Sequence, residues 1–160
     1  DFFTHISSFK GASKRLEKIA ENNSSVAYKD FAHSPSKLKA TTQAVKSQFA
    51  KRKLVACMEL HTFSSLNPAF LKEYDGAMNA ADEAIVFYSP KAVAHKKLPE
   101  LKQEDVYQAF NRKDLKVFTD TQELQDYLKQ KKWQDTNLLI MTSGNFEGMN
   151  IDQFGKDLIH

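Results

Sequence analysis

Three residues in the first quarter of the chain have side chains that suit a nucleotide: Arg15, Asp30 and His33. An arginine can bind two phosphate oxygens at once, and a carboxylate can accept hydrogen bonds from ribose hydroxyls. A histidine where a strand gives way to a helix can donate to a phosphate. For each residue alone a plainer interpretation stays open: a surface arginine paired with Glu17, a helix-capping aspartate and an exposed loop histidine.

Polar side chains also follow two later apolar runs. Glu59, His61, Thr62 and Ser64 cluster at the end of the apolar run that begins at Leu54, and they could bind a polar substrate or simply form a hydrophilic loop. Ser143, Asn145 and an apparently exposed Phe146 form a turn ahead of a helix start, a place that suits a carboxylate. The plainer interpretation of this turn is that its glycines serve backbone geometry.

Several familiar motifs are missing from the sequence. It contains no Gly-x-x-x-x-Gly-Lys-[Ser/Thr], no Gly-x-Gly-x-x-Gly, no Gly-x-Ser-x-Gly and no His-Glu-x-x-His. The chain therefore cannot hold a triphosphate by a phosphate loop of its own, and no metal ligand set is indicated. The residues indicate half of a nucleotide site, with the other half on another domain.

Composition is that of one ordinary globular domain. The 160 residues are 41% hydrophobic and 27% charged, with a net charge of +3 that is dispersed along the chain. The basic clusters at 51–53 and 129–132 fall where helices should end, so neither a nucleic acid nor a membrane is expected as a partner. Cys57, inside an apolar run, indicates a buried thiol in a reducing, cytoplasmic compartment.

These residues must be positioned by an alternation of short apolar runs and amphipathic stretches. Strands are predicted at 26–31, 54–59, 84–88, 115–119 and 137–142, with helical stripes between them, including one from 70 to 81 and a short helix at 104–110. The stretch 91–99 is predicted to be irregular. Repeated strand–helix alternation predicts a doubly wound, Rossmann-like α/β domain with a mainly parallel sheet of five to six strands and helices on both faces. In such sheets ligands gather beyond the carboxyl ends of the strands, where the polar residues above lie.

Four segments together resemble the C-terminal domain of bacterial Mur ligases. They are Phe-x-Gly-x-x-x-Arg-x-Glu at 9–17, Asp-Phe-Ala-His-Ser-Pro at 30–35, Ala-Asp-Glu-Ala-Ile-Val at 81–86 and Leu-Ile-Met-Thr-Ser-Gly-Asn-Phe-Glu-Gly at 139–148. The last segment is similar to the murein peptide ligase branch of the family, which is the favoured branch. The UDP-N-acetylmuramate–L-alanine ligase branch is the second candidate. The resemblance extends over nearly the whole chain.

The resemblance implies a three-domain, ATP-dependent amide ligase. Such enzymes join an amino acid or peptide to UDP-N-acetylmuramate through an acyl phosphate, in peptidoglycan synthesis or recycling. ATP and Mg²⁺ would be bound mainly by a central domain outside this chain, so the chain alone is expected to be inactive. Residues 1–24 would be a segment leading from that central ATPase domain, and residues 25–160 would form the C-terminal domain.

The resemblance also implies roles for single residues. Arg15 and Asp30 would contact the ribose and phosphate region of ATP, with His33 near the phosphates. The residues implied for placing the incoming amine donor are His61, Ser143, Asn145 and Phe146. The segment 60–65 reads Leu-His-Thr-Phe-Ser-Ser and lacks the arginine that both branches carry there, which leaves the identity of the donor open.

A second hypothesis is a stand-alone, flavodoxin-like α/β module with a binding or regulatory role. It would need no partner domain, whereas the ligase hypothesis needs a phosphate loop in a preceding domain. A phosphoacceptor receiver is a weaker third option, because no acidic pair precedes Asp30 and no lysine follows the last strand.

Overall fold

A computed structural model describes residues 16–32 and 34–160 of the chain. The elements, in chain order, are β1 (Glu17–Glu21), β2 (Val26–Asp30), α1 (Pro35–Gln48), β3 (Lys53–Leu60), α2 (Pro68–Leu71) with a following 3-10 turn (Lys72–Tyr74), β4 (Glu83–Tyr88), α3 (Pro90–His95), α4 (Gln103–Phe110), β5 (Lys116–Phe118), α5 (Thr121–Lys129), β6 (Thr136–Met141) and α6 (Ile151–Leu158). None of the helices in these ranges is long and apolar enough to cross a membrane.

The described strands form one six-stranded sheet in the order β1-β2-β6-β3-β4-β5. Five neighbouring strands run parallel, namely β2, β6, β3, β4 and β5, and β1 pairs antiparallel with β2 at one edge. Separate apolar clusters lie on the two faces, one including α1 and α4 and the other including α5 and α6. The predicted α/β class, the mainly parallel sheet and the covering of both faces are confirmed.

Central strands β3 and β6 are buried along almost their whole length. Seven of the eight residues of β3 and all six residues of β6 are buried. A parallel strand covered by helices on both sides needs apolar side chains on both faces, and the continuous apolar runs reflect that need. These two strands bring the loops that follow them to neighbouring positions at the carboxyl edge of the sheet.

Edge strand β1 was not predicted, because its sequence Glu-Lys-Ile-Ala-Glu carries little apolar signal. Its register with β2 is interrupted between Lys18 and Ala20, as is common at charged sheet edges. Ile19 packs against α6 at Gly155, where an added Cβ would lie 2.7 Å from the Ile19 Cγ2 atom. Tertiary contact therefore holds this strand, and a local pattern could not reveal it.

Two predictions about helices are corrected. The stretch 91–99 contains α3, because Ser89 and Pro90 make a helix start in which the Ser89 hydroxyl accepts from the Ala92 N–H at 3.2 Å. The stripe from 70 to 81 is helical only as far as Tyr74, and Gly76, with a φ of +79°, lies in the turns that follow. The predicted short helix at 104–110 is confirmed as α4.

Candidate functional site

The loops that follow β2, β3 and β6 lie side by side at the carboxyl edge, because β6 lies between β2 and β3 in the sheet. Met141 pairs with Asp30 on one side and with Met58 on the other. The Thr142 N–H donates to the carbonyl of Asp30 at 3.0 Å, which continues the pairing into the loop. The expectation that the polar residues after these strands share one edge is confirmed. Arg15 and His33 lie outside the described residues.

Asp30 ends β2 and is only 4% exposed. Its Oδ2 atom accepts a hydrogen bond from the Thr41 hydroxyl on α1 at 2.8 Å. Its Oδ1 atom is buried and has no hydrogen-bond partner among residues 16–32 and 34–160. Buried carboxylate oxygens are normally satisfied, so this one is available to a donor from outside the described part of the chain.

Glu59 lies one residue before the end of β3 and is 2% exposed. Its Oε1 atom accepts from the Thr142 hydroxyl at 2.5 Å and from the Phe146 N–H at 3.0 Å. Its Oε2 atom lies 3.6 Å from Nδ1 of His61. One carboxylate therefore joins the β3 loop (residues 61–66) to the β6 loop (residues 142–148). Sequence reasoning grouped Glu59 with the polar residues that could bind a substrate or form a hydrophilic loop, whereas its described partners all belong to the protein.

His61 packs directly against the β6 loop. An added Cβ on Gly144 would lie 2.9 Å from the Cγ and Cδ2 atoms of the His61 ring, so only glycine permits this approach. The Gly144 N–H in turn donates to the Thr142 hydroxyl at 2.8 Å. The first contact sets how closely the two loops can approach, and the second holds the shape of the β6 loop itself.

The three predicted residues of the β6 loop have different surroundings. The Ser143 hydroxyl is buried with no hydrogen-bond partner in the described part of the chain. Asn145 is exposed, and its Oδ1 atom accepts from the Gly148 N–H at 3.0 Å, which closes the turn. Ser143 is thus a candidate ligand group, whereas Asn145 also has a local structural task.

The expected exposure of Phe146 is wrong. The side chain is 0% exposed, and its ring centroid lies 5.5 Å from that of Phe87. Its N–H donates to Glu59, and its carbonyl accepts from the Thr121 hydroxyl at 2.9 Å. The turn folds its aromatic residue back into the core because apolar burial stabilises the loop, so any influence of this side chain on a ligand is indirect.

A pocket opens at the carboxyl edge between β2, β6 and the edge strand. Its lining residues are Glu17, Lys29, Asp30, Phe31, Thr142, Gly144 and Ile151. Phe31 is 57% exposed, which gives the pocket an apolar rim. Lys29 lies 2.8 Å from Asp152, and this hydrogen bond raises the pKa of Lys29, so its amine stays charged. The pocket thus combines a flat apolar side chain with a buried acceptor.

The described residues provide neither a reactive thiol nor a metal cluster. Burial, with a further contribution from the charge of Glu59, raises the pKa of the Cys57 thiol, which keeps it protonated. Cys57 is buried as predicted. Within 16–32 and 34–160, no three His, Cys, Asp or Glu side chains group as metal ligands. What this edge offers is hydrogen-bond acceptors, donors and a rigid frame.

Comparison with known sequences identifies the family. Residues 14–145 match the family model described as Mur ligase, glutamate ligase domain. A UDP-N-acetylmuramate–L-alanine ligase from Caldicellulosiruptor bescii is 41% identical over 81 residues, which cover 51% of this chain and 17% of the relative. The corresponding ligase from Caldicellulosiruptor saccharolyticus is 32% identical over 107 residues, 67% of this chain and 23% of the relative. The chain thus spans about a fifth of the length of these curated relatives.

Solved structures show the same fold. A murein peptide ligase from Psychrobacter arcticus matches 97% of this chain and 31% of its own chain, with a TM-score of 0.69 and 19% identity. A UDP-N-acetylmuramate–alanine ligase from Thermotoga maritima matches 80% of this chain and 26% of its own, with a TM-score of 0.57 and 16% identity. With most of its length matched by the family model and its architecture shared with these enzymes, the chain belongs to the Mur ligase family and is a C-terminal domain of that family.

Proposed function

We propose that this chain is the C-terminal domain of an ATP-dependent ligase that joins an amino acid or peptide to UDP-N-acetylmuramate through an acyl phosphate, in peptidoglycan synthesis or recycling. The named relatives are UDP-N-acetylmuramate–L-alanine ligases, and they extend well beyond the span of this chain. The observation that carries the proposal is the buried Oδ1 atom of Asp30, which has no hydrogen-bond partner among the described residues, on a residue that lines the pocket.

The nucleotide side of the proposed site is built on Asp30. A carboxylate oxygen accepts and cannot donate, so its partner must be a donor such as a ribose hydroxyl. The Thr41 hydroxyl holds the other oxygen and so fixes the direction of the open one. Arg15 and His33, which lie outside the described residues, are proposed to approach the phosphates.

ATP would supply the phosphoryl group that activates the muramoyl carboxylate. Asp30 would offer an acceptor to a ribose hydroxyl. Mg²⁺ is proposed to be bound mainly by the central domain, from which residues 1–24 would lead. Closure of this domain would add positive charge from Arg15 and exclude water where the activated carboxyl is exposed to attack.

The amine side of the proposed site is formed by the β3 and β6 loops. His61 packs on the β6 loop, and the Ser143 hydroxyl is buried without a described partner, so both can contact an incoming polar group. Asn145 stands exposed beside them. Phe146 would act only by shaping this loop, because its side chain is in the core.

The donor itself is proposed to be L-alanine or a peptide that begins with it. The curated relatives are named for L-alanine. The murein peptide ligase shares the fold over nearly all of this chain. At 19% identity this similarity supports the shared fold and does not identify the donor. The experiment below therefore offers both donors to the enzyme.

The test uses the full-length ligase that contains this chain and measures phosphate release with UDP-N-acetylmuramate and ATP. The donor is either L-alanine or the tripeptide L-alanyl-γ-D-glutamyl-meso-diaminopimelate, for which a similar solved domain is named. One donor should be ligated, and the isolated chain should ligate neither. Asp30→Ala and Arg15→Ala should each lower turnover roughly a hundredfold, as expected when a preorganised charged contact is lost. The matched control is Asp114→Ala, since Asp114 is an exposed carboxylate paired with Arg112. Full turnover by both site variants, or no ligation of either donor, would overturn the proposal.

A further inference from the structure

We propose that Glu59 is a positioning residue for the amine donor, because it fixes the β3 loop against the β6 loop. The inference rests on the proposed function, which takes these two loops to be the place where the amine donor binds. Glu59 itself would touch no substrate, since it is 2% exposed. It would act through His61 and Ser143, the two candidate donor-binding side chains.

Hydrogen bonds within each loop hold the shape of that loop. In the β3 loop the Thr62 hydroxyl donates to the Ser65 hydroxyl at 2.9 Å and accepts from the Ser65 N–H at 3.1 Å. In the β6 loop the Gly144 N–H donates to the Thr142 hydroxyl, and Asn145 accepts from the Gly148 N–H. These bonds do not fix the position of one loop relative to the other.

Glu59 sets that position from inside the protein. A single oxygen accepts from a hydroxyl and an N–H of the β6 loop, at 2.5 and 3.0 Å, while the other oxygen faces the ring of His61 at 3.6 Å. In a buried environment such bonds are strong and water cannot replace them. The close packing of His61 on Gly144 makes the spacing intolerant of small shifts.

Loss of the carboxylate would leave the Phe146 N–H and the Thr142 hydroxyl buried without their acceptor. Both groups then gain by moving toward water or another acceptor, which carries the β6 loop away from His61. The nucleotide side depends on Asp30 and Thr41, which have a hydrogen bond of their own. Thr142 and Gly144 of the β6 loop also line the pocket beside Asp30. Amine recognition should therefore weaken more than ATP recognition, because Thr41 still holds the Asp30 carboxylate.

The test is steady-state kinetics of the full-length ligase with the donor that the wild type uses. Glu59→Ala should raise the KM for the amine donor roughly tenfold or more, the loss expected from an unsatisfied buried group, with a clearly smaller rise in the KM for ATP. Glu59→Gln should restore most of the amine KM, because an amide oxygen can accept both bonds. The matched control is Glu83→Gln, at the opposite edge of the sheet, where Glu83 accepts from Tyr127 and Lys131. It should leave the amine KM unchanged.

Gly144→Ala provides a second variant that leaves every bond of Glu59 in place. Its Cβ would meet the His61 ring at 2.9 Å, so it should also raise the amine KM more than the ATP KM, even if Glu59→Ala does not fold. Equal effects on both KM values, or an unchanged amine KM in Gly144→Ala, would overturn the inference while the proposed function stands. If the wild type ligates neither donor, the proposed function itself fails.

Discussion

Asp30 and Glu59 are two buried carboxylates at the same edge of one sheet, and they are satisfied to different extents. Glu59 has two donors on one oxygen and His61 near the other. Asp30 has one donor, Thr41, and its second oxygen has no partner in the described ranges. Burial alone therefore does not distinguish a structural carboxylate from one that could bind a ligand.

The difference lies in which acceptor positions remain open. A carboxylate whose donors come from the protein stabilises the fold, and removing it leaves those donors unsatisfied. A carboxylate with an open buried oxygen costs stability in the unliganded state, and a ligand hydroxyl can offset that cost on binding. We expect mutations at the two sites to separate stability from nucleotide affinity.

The largest expected effect is on the stability of the chain. Glu59→Ala leaves two buried donors without an acceptor and should lower the free energy of unfolding by about 3 kcal/mol. Asp30→Ala loses one bond but also removes the open oxygen, so its loss should be no more than about 1 kcal/mol. Chemical denaturation of the two variants and the wild type measures both values. Equal losses at the two positions would remove the distinction between the carboxylates.

A smaller effect is expected from the residue that orients Asp30. Thr41→Val removes the one described donor to the Asp30 carboxylate and should cost about 1–2 kcal/mol of unfolding free energy, with a rise in the ATP KM of the full-length ligase. The neighbour Thr42 is the matched control, since its hydroxyl donates to the Leu38 carbonyl of the same helix. Thr42→Val should leave the ATP KM unchanged. An identical ATP response from the two variants would argue against orientation of Asp30 by Thr41.

The smallest effect concerns a carboxylate at the opposite, amino edge of the sheet. Burial alone would raise the pKa of Asp82, but hydrogen bonds from Lys46 and the Leu54 N–H, with the positive charges of Lys46 and Arg112, hold it below its usual value. The stability that the Asp82 carboxylate contributes to the fold is thus complete above the unfolded pKa of about 3.9. It is lost as pH falls through the lower pKa of the folded state.

Asp82→Asn should therefore make stability fall less steeply below about pH 4, as followed by thermal melting across acid pH. Because the Asp82 side chain is 43% exposed, solvent screening keeps the change small. A steeper acid loss in the variant would contradict the assignment. The measurement therefore compares the contribution of Asp82 to stability, at the amino edge, with the contributions of Asp30 and Glu59 at the carboxyl edge.

Local signals were enough to predict most of the fold. The apolar runs of β3 and β6 specify buried parallel strands, and Asn67 and Asp120, residue types that favour helix starts, each accept a capping hydrogen bond at the start of α2 and α5. Strand β1 was missed because Ile19 is held by packing on α6 rather than by its own pattern.

The site was predicted only in outline. The end of an apolar strand is a recognisable place for a carboxylate that could bind a ligand, so Asp30 could be chosen as a candidate from the sequence. Which of its oxygens stays open depends on Thr41, eleven residues later. The link from Glu59 to Phe146 spans 87 positions, and the burial of Phe146 follows from that long-range contact. No local pattern encodes such distances.

The most direct measurement compares the ATP affinities of two separate variants of the full-length ligase, Asp30→Asn and Glu59→Gln, by calorimetric titration. Asparagine can still accept from Thr41, but it puts an N–H₂ group where the open oxygen was. The expected result is an ATP Kd raised roughly tenfold by Asp30→Asn and changed less than about twofold by Glu59→Gln. Wild-type ATP affinity in Asp30→Asn, or an equal loss in both variants, would contradict the assignment of the open carboxylate to the nucleotide.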